Sequence, residues 1–309
     1  MLNIKPIPES EAEKPILSIY QSIKQTLGSS STPLIFQYLA NFSEYLSFIW
    51  PQISHNSNDI LFRKEINDIE NLNQVMVNEI FQSGIATELF LQKIQNLPEK
   101  YELIQFSDNL KEVSALLYLI SLSLRESLKG QALGVKLIEN KTTDKEQSHA
   151  VWNDISSEFF SHSISQDIKA SNLNIQLPTS NFKKSQSLTT TPYPEFFKLM
   201  QWEMDKLIVE EKYLFARVEM EKYALNKLHL IPHPINSSLK IVSSYTKTNP
   251  LFPELIHLLA EYFPTQTPYR LFAASVMNRS LNFNPKSSKE ETPVKSPILL
   301  PAAIELNRN

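Results

Sequence analysis

Glycine constrains this chain more than any other residue: there are four in 309 residues, Gly28, Gly84, Gly130 and Gly134, and none further along. A backbone that turns tightly or runs close against a phosphate needs positive φ or a missing Cβ, and glycine supplies both. The G-x-G-x-x-G fingerprint, the P-loop and the nucleophile elbow each cluster glycines within a short span. None of these patterns is present. The chain is therefore poorly suited to nucleotide chemistry and to an α/β fold with many tight turns.

Helical periodicity fills the space that turns would otherwise occupy. In PILSIYQSIKQTL the apolar residues Ile16, Ile19, Tyr20, Ile23 and Leu27 recur at helical spacing, with Pro15 suited to a first turn and Gly28 to a stop. The same period predicts helices in TPLIFQYLANFSEYLSFIWP, DILFRKEINDIENLNQVMVNEIF, ATELFLQKIQNL and NLKEVSALLYLISLSLRESLKG. It continues in AVWNDISSEFF, in one long stretch from Pro194 to Leu228, in LFPELIHLLAEYF and in PYRLFAASVMNRSL. No alternating run bounded by turn signals stands out, so the expectation is an all-α fold. Residues 171–194 are polar, proline-containing and aperiodic, which reads as a loop or insertion. Residues 284–309, rich in Pro, Ser and Lys, read as a disordered tail.

Composition narrows the function classes. Hydrophobic residues make up 42% of the chain and charged residues 20%, a globular balance. A net charge of -3 offers no general attraction to nucleic acid or anionic membrane, and the Lys183-Lys184 pair is too small a basic patch. With no cysteine, disulfides, thiolate nucleophiles and cysteine metal sites are excluded. The opening MLNIKPIPESEAEK has no apolar signal core. The longest apolar stretch, Val113 to Leu124, is roughly half of what a membrane span requires. A soluble, cytoplasmic protein is the expectation. His229 and His233 are four apart but separated by Pro232, so they do not share a regular helical face and make a poor metal pair. Glu203, Asp205, Glu210, Glu211, Glu219 and Glu221 with their lysines read as the solvated face of a long amphipathic helix.

The two halves resemble each other. IYQSI (Ile19–Ile23) pairs with VWNDI (Val151–Ile155), an offset of 132, and FSEYLSFIW (Phe42–Trp50) with YPEFFKLMQW (Tyr193–Trp202) at a larger offset. FSDNLKEVSALLYL (Phe106–Leu119) pairs with FPTQTPYRLFAASV (Phe263–Val276). Three matches in the same order argue for two diverged helical pseudo-repeats, residues 1–140 and 141–283, with the polar insertion in the second.

The residues at 5–52, from PIPESEAEK through IYQSIK and PLIFQYLA to YLSFIW, resemble the start of the group I 2-haloacid dehalogenases. The similarity is good there, moderate around Phe106–Gly130 and looser afterwards. It implies an all-helical fold whose two repeats pack like an intramolecular dimer around a central site. It also implies hydrolysis of a small 2-haloalkanoic acid with inversion, in which an aspartate activates water directly and an asparagine helps hold it. A carboxylate within hydrogen-bond reach makes water a usable nucleophile, and an apolar pocket strengthens the electrostatics. No metal and no organic cofactor is expected.

Carried over position by position, the asparagine falls on Asn109 of Phe106-Ser-Asp-Asn-Leu-Lys111, where the family shows Asn-Pro-Lys at the start of a helix. Leu110 replaces the proline, and an ordinary N-cap is the competing reading of Asn109. The 132 offset places the family's Ser-Asp-Tyr-Arg-Ala stretch on Ser165-Gln166-Asp167-Ile168-Lys169-Ala170, making Asp167 the candidate base, with Gln166 beside it at the substrate. A second register places Asn181 there instead. An asparagine cannot act as a base, so that register implies a helical binding protein that kept the fold and lost the acid. Leu34, Phe36 and Tyr269 match pocket-lining positions, although each also suits an ordinary core.

Overall fold

The computed structural model describes residues 4–29, 31–130, 133–134, 193–246 and 249–282. The expected site residues Gln166, Asp167 and Asn181, most of segment 171–194 and the 284–309 tail lie outside them. The helices are α1 (Lys14–Leu27), α2 (Leu34–Leu39), α3 (Ser43–Ser57), α4 (Ile60–Ile80), α5 (Ile85–Ile94) and α6 (Pro98–Leu128). They continue with α7 (Tyr193–Leu207), α8 (Glu211–Lys227), α9 (Leu239–Thr246), α10 (Phe252–His257), a π-helical turn at Leu258–Tyr262 and α11 (Phe263–Asn282). Among the described residues there is no β-strand, only an isolated antiparallel bridge between Leu133 and Ile235. The expected all-α class is the one observed.

Local chemistry explains the ends. Pro15 sits in the first turn of α1, and Gly28 closes that helix at φ 63°, its N–H donating to the Lys24 carbonyl. The stripe Ile16, Tyr20, Ile23 and Leu27 is buried as its spacing requires. Asp59 caps α4 by accepting from the Leu61 N–H at 2.7 Å. The cap of α5 comes from another helix. Glu203 of α7 is buried, and its carboxylate accepts from the Gly84 N–H at 2.8 Å and the Thr87 hydroxyl at 2.7 Å. A Cβ on Gly84 would stand 2.8 Å from that oxygen, so a larger residue there would push the carboxylate aside. Glu203 therefore leaves the solvated face on which its neighbours were expected to place it.

Three helix boundaries differ from the periodicity. The helix expected from Asn109 starts at Pro98 and runs unbroken for 31 residues. Leu110 donates a backbone N–H where a proline could not, so nothing interrupts the ladder. The long stretch from Pro194 divides at Ile208–Glu210, where Glu210 is extended at φ -82° and ψ 139°, without glycine or proline. Its two pieces have different partners: Phe196 of α7 stacks on Phe90 of α5, whereas Lys227 of α8 bonds Glu65 and Asp68 of α4. Conversely, the last two expected helices join. Pro264 cannot donate to the carbonyl four residues back, and the turn before it widens, with the Phe263 N–H reaching the Leu258 carbonyl five residues back.

The centre of the molecule is α6 packed antiparallel to α11. Ser121 hydrogen-bonds Thr267 at 2.8 Å, and far along the same seam Asn278 donates to Ser107 at 3.1 Å and to Asp108 at 2.7 Å. Helix α4 lies against both: Asn73 donates to the Leu271 carbonyl and to the Ser275 hydroxyl, and Arg279 donates to the Val77 carbonyl. From Val113 to Leu124 every residue of α6 is buried, its polar members being serines small enough to bond within the seam. Around this pair the apolar core is continuous, with Tyr20, Phe36, Tyr45, Phe62, Tyr118, Phe196 and Phe272 fully buried.

Candidate functional site

The short helix α2 is held from three sides. Pro33 precedes it, and the segment before α1 straps across it, the Ile7 N–H donating to the Gln37 carbonyl at 3.0 Å. Tyr20 in turn donates to the Ile7 carbonyl. Glu9 accepts from both the N–H and the hydroxyl of Thr32 at 3.1 and 3.0 Å, and from Lys24 at 2.6 Å. Burial alone would raise the Glu9 carboxyl; these bonds outweigh it and hold the group below its ordinary value. At the other end Asn41 bonds the carbonyls of Lys5 and Tyr38. A six-residue helix this constrained can present a side chain precisely enough for recognition.

The side chain it presents is Tyr38. Its ring meets that of Tyr262, the last residue of the π-helical turn, edge to face at 5.4 Å, and lies 6.5 Å from Phe263. The two hydroxyls and the Arg270 guanidinium stand close enough to act on one another electrostatically. Nε of Arg270 is buried, while Arg270, Tyr38 and Tyr262 each keep some exposure. Desolvation lowers the Arg270 pKa to about 10, an effect the two phenols only partly offset. Burial, reinforced by Tyr38, pushes the Tyr262 phenol well above its ordinary value. The result is a desolvated cation beside two phenols whose rings pack on each other.

The expected pocket residues distribute around this cluster unevenly. Leu34 is buried on α2 one turn before Tyr38, on the same face of the helix. Tyr269 is buried and adjacent to Arg270 on α11. Phe36 turns the other way and meets Trp50 edge to face at 5.4 Å, with the Trp50 indole donating to Ser22. Asn109 is half-buried in the interior of α6 rather than at a helix start, which removes the N-cap reading. The Asp108–Asn278 bond sets Asn109 level with the Val276–Met277 turn of α11, about 10 Å along the axis from Arg270. Arg270, Tyr38 and Tyr262 were not anticipated. The available signal was a lone guanidinium inside the apolar run PYRLFAAS.

Several charged groups elsewhere are paired. An open groove of about 630 Å³ has Leu225, Leu239 and Ile256 in its lining, and its charges pair across the rim, Arg125 with Glu126 and Glu221, and Lys129 with Glu126. His233 lies 3.3 Å from Asp59 with its ring 5.8 Å from that of His55, away from His229 as a partner. No group of three or more His, Asp or Glu among the described residues could hold a metal ion. No described helix is long and apolar enough to cross a membrane.

No protein-family model matches the sequence, and no curated protein matches it. Solved structures do. The chain is similar to one described as the complex of a D-2-haloacid dehalogenase mutant with D-2-CPA, at 15% identity and a TM-score of 0.68. That match covers 91% of this chain and 96% of the other. It is equally similar to a D-2-haloacid dehalogenase described in complex with L-LA, at 15% identity and a TM-score of 0.67, over 91% and 97% of the two chains. At this identity the likeness establishes a shared all-helical, dehalogenase-like fold.

Proposed function

We propose that this chain hydrolyses a small 2-haloalkanoic acid, with Asp167 as the base that activates water and Asn109 helping to hold that water. The fold-level likeness to D-2-haloacid dehalogenases along nearly the whole chain carries this reading. In the reaction, the water oxygen forms a bond to C2 while the carbon–halogen bond breaks and the halide leaves with its electron pair. Asp167 takes the water proton, and C2 is inverted in the 2-hydroxy acid product. Leu34, Tyr269 and Gln166 would line the substrate, with Phe36 supporting α2 from beneath.

The same reading includes the duplication, with repeats at 1–140 and 141–283. The offset between Phe106 and Phe263 maps the Ser121–Thr267 bond onto residues 278 and 110. That lies within one turn of the observed Asn278–Ser107 bond, as a two-fold relation between α6 and α11 would require. One observation favours a second reading. Asn109 lies within a continuous helix instead of opening one, which suits a binding protein of the same fold whose acid position is Asn181.

Halide release from D- and L-2-chloropropionate by wild type, Asp167→Asn and Asn109→Ala separates them. Wild-type release that falls by about 10²–10⁴ in Asp167→Asn supports the hydrolase and its base. Release that survives Asp167→Asn moves the base elsewhere, and absence of release from both enantiomers favours the binding protein.

A further inference from the structure

We infer that residues 297–306 of this chain dock on the outer face of α5 and α7, over Ile85, Leu89 and Trp202. This interaction surface is independent of the proposed chemistry and goes beyond it. The sequence after α11 has two parts of different character. Residues 283–296, FNPKSSKEETPVKS, are mostly polar and charged, the composition of a tether. Residues 297–306, PILLPAAIEL, carry a single charge, Glu305, in an otherwise apolar run. Such a run gains free energy by leaving water, and the tether before it does not.

The face and the route to it are both in place. Phe90 of α5 stacks on Phe196 of α7, and Gly84 and Thr87 at the start of α5 bond Glu203, so the two helices run antiparallel. Their inner sides are buried, yet Ile85, Leu89 and Trp202 expose 77, 53 and 47% of their surfaces. Ile85 and Leu89 stand one turn apart on α5, and Trp202 adjoins Glu203 beside the start of that helix. Clustered exposed apolar side chains mark interaction sites. Ser280, two residues before α11 ends, lies 3.3 Å from Ser83, the neighbour of Gly84. The chain therefore leaves α11 where this face begins. A stretch as long as 283–296 spans about 45 Å extended and about 20 Å as a random coil, against about 15 Å for the length of α5. A tether of that length holds its segment at an effective concentration of about 1 mM, so a free affinity of only about 0.1 mM gives about nine-tenths occupancy. Charge agrees. Lys93, one turn after Leu89, and Lys206, whose Nζ stands 2.9 Å from the centre of the Trp202 ring, are exposed and complement Glu305. The other exposed apolar stripe, Leu214, Phe215 and Val218 of α8, follows Tyr213, which meets Phe272 nearly three turns before α11 ends.

The chain has no cysteine, so Leu89→Cys introduces a single thiol on the face. The rate at which a maleimide modifies that thiol in the full chain reports whether the face is covered. Leu89→Cys is expected to react about tenfold more slowly than the same thiol in a chain that also carries Ile298→Asp and Ile304→Asp. Ile85→Cys should show the same protection, which guards against a loss of docking caused by Leu89→Cys itself. Leu214→Cys on α8 should react at one rate with and without the two aspartates. Because every substituted side chain is exposed or lies beyond α11, none of these variants disturbs the described core. Equal rates with and without the aspartates at both Leu89→Cys and Ile85→Cys overturn the inference. Protection of Leu214→Cys in their place overturns it too, by moving the segment to α8. Protection that rises with protein concentration and accompanies a dimer in sedimentation also overturns it, since the occupant would then belong to a second copy. Halide release does not enter any of these outcomes, so the dock and the hydrolase stand or fall separately.

Discussion

Two regions of this molecule bury polar groups, and they do so in opposite ways. In the seam between α4, α6 and α11 the groups answer each other: Asn73 meets Ser275 and the Leu271 carbonyl, Ser121 meets Thr267, and Asn278 meets Ser107 and Asp108. Most donors there find local acceptors and the seam sets the register of three helices, although the Asn73 amide oxygen and the Tyr118 hydroxyl are buried without a hydrogen bond. In the Tyr38–Tyr262–Arg270 cluster two phenols act electrostatically on a desolvated guanidinium. Mutually hydrogen-bonded groups specify register, whereas electrostatic proximity between groups leaves it open. The first region therefore fixes helix register, and the second contributes less to it.

That contrast can be broken by substitution, and the largest effect should come from the seam. Asn73→Ala leaves Ser275 buried without its amide partner and should lower unfolding free energy by about 1–3 kcal/mol in urea titrations. A loss confined to a few tenths would mean that the seam is not what sets the register. Arg270→Met keeps the aliphatic stem and removes the charge, and should change stability by less than about 1 kcal/mol. A larger loss there would make the cluster structural and erase the distinction. Within the seam, a double-mutant cycle of Ser121→Ala and Thr267→Val should give a coupling of about 0.5–1 kcal/mol, because each hydroxyl also has a helical carbonyl to fall back on.

The smallest effect is a matter of pH. Two glutamates, Glu126 buried and Glu70 half-buried, are paired to lysine with opposite outcomes. Burial would raise Glu126, but its bonds to Lys129 and Arg125 hold it below the ordinary 4.5. Burial dominates at Glu70 and raises it despite Lys111. The Glu126 contribution is therefore present above pH 4.5 and lost as pH falls through its lowered value; the Glu70 contribution is present below 4.5 and lost as pH rises through its raised value. Denaturation across that range should show Glu126→Gln flattening the acid limb and Glu70→Gln gaining stability over wild type towards neutrality. Parallel slopes for the two variants would contradict the assignment.

Much of the helical order was legible because it depends on spacing and stops that neighbouring residues supply. Ile16, Tyr20, Ile23 and Leu27 declare the buried face of α1, and Gly28 its end. The failures came where tertiary partners decide. No local residue marks the break at Ile208–Glu210, which follows from α7 and α8 packing on different helices. Glu203 looks like its solvated neighbours in sequence, and only the approach of Gly84 makes it a cap. Of the residues around that cluster, Leu34 and Tyr269 could be reached by resemblance. Arg270 could not, because its partners Tyr38 and Tyr262 belong to opposite ends of the chain. The position carried over for Asn109 was reached without seeing that Leu110 in place of proline lets the helix run through it.

The widened turn at Leu258–Tyr262 has a consequence for how the chain tolerates change in length. One extra residue in a turn shifts the angular phase of everything that follows by about 100° relative to a regular helix. Arg270 faces Tyr38, and Asn278 faces Ser107, only because α11 begins in that shifted phase. Deleting a single residue between Leu258 and Tyr262 would restore a uniform helix and swing every later side chain about its axis. The seam and the Tyr38–Tyr262–Arg270 cluster therefore share one angular setting.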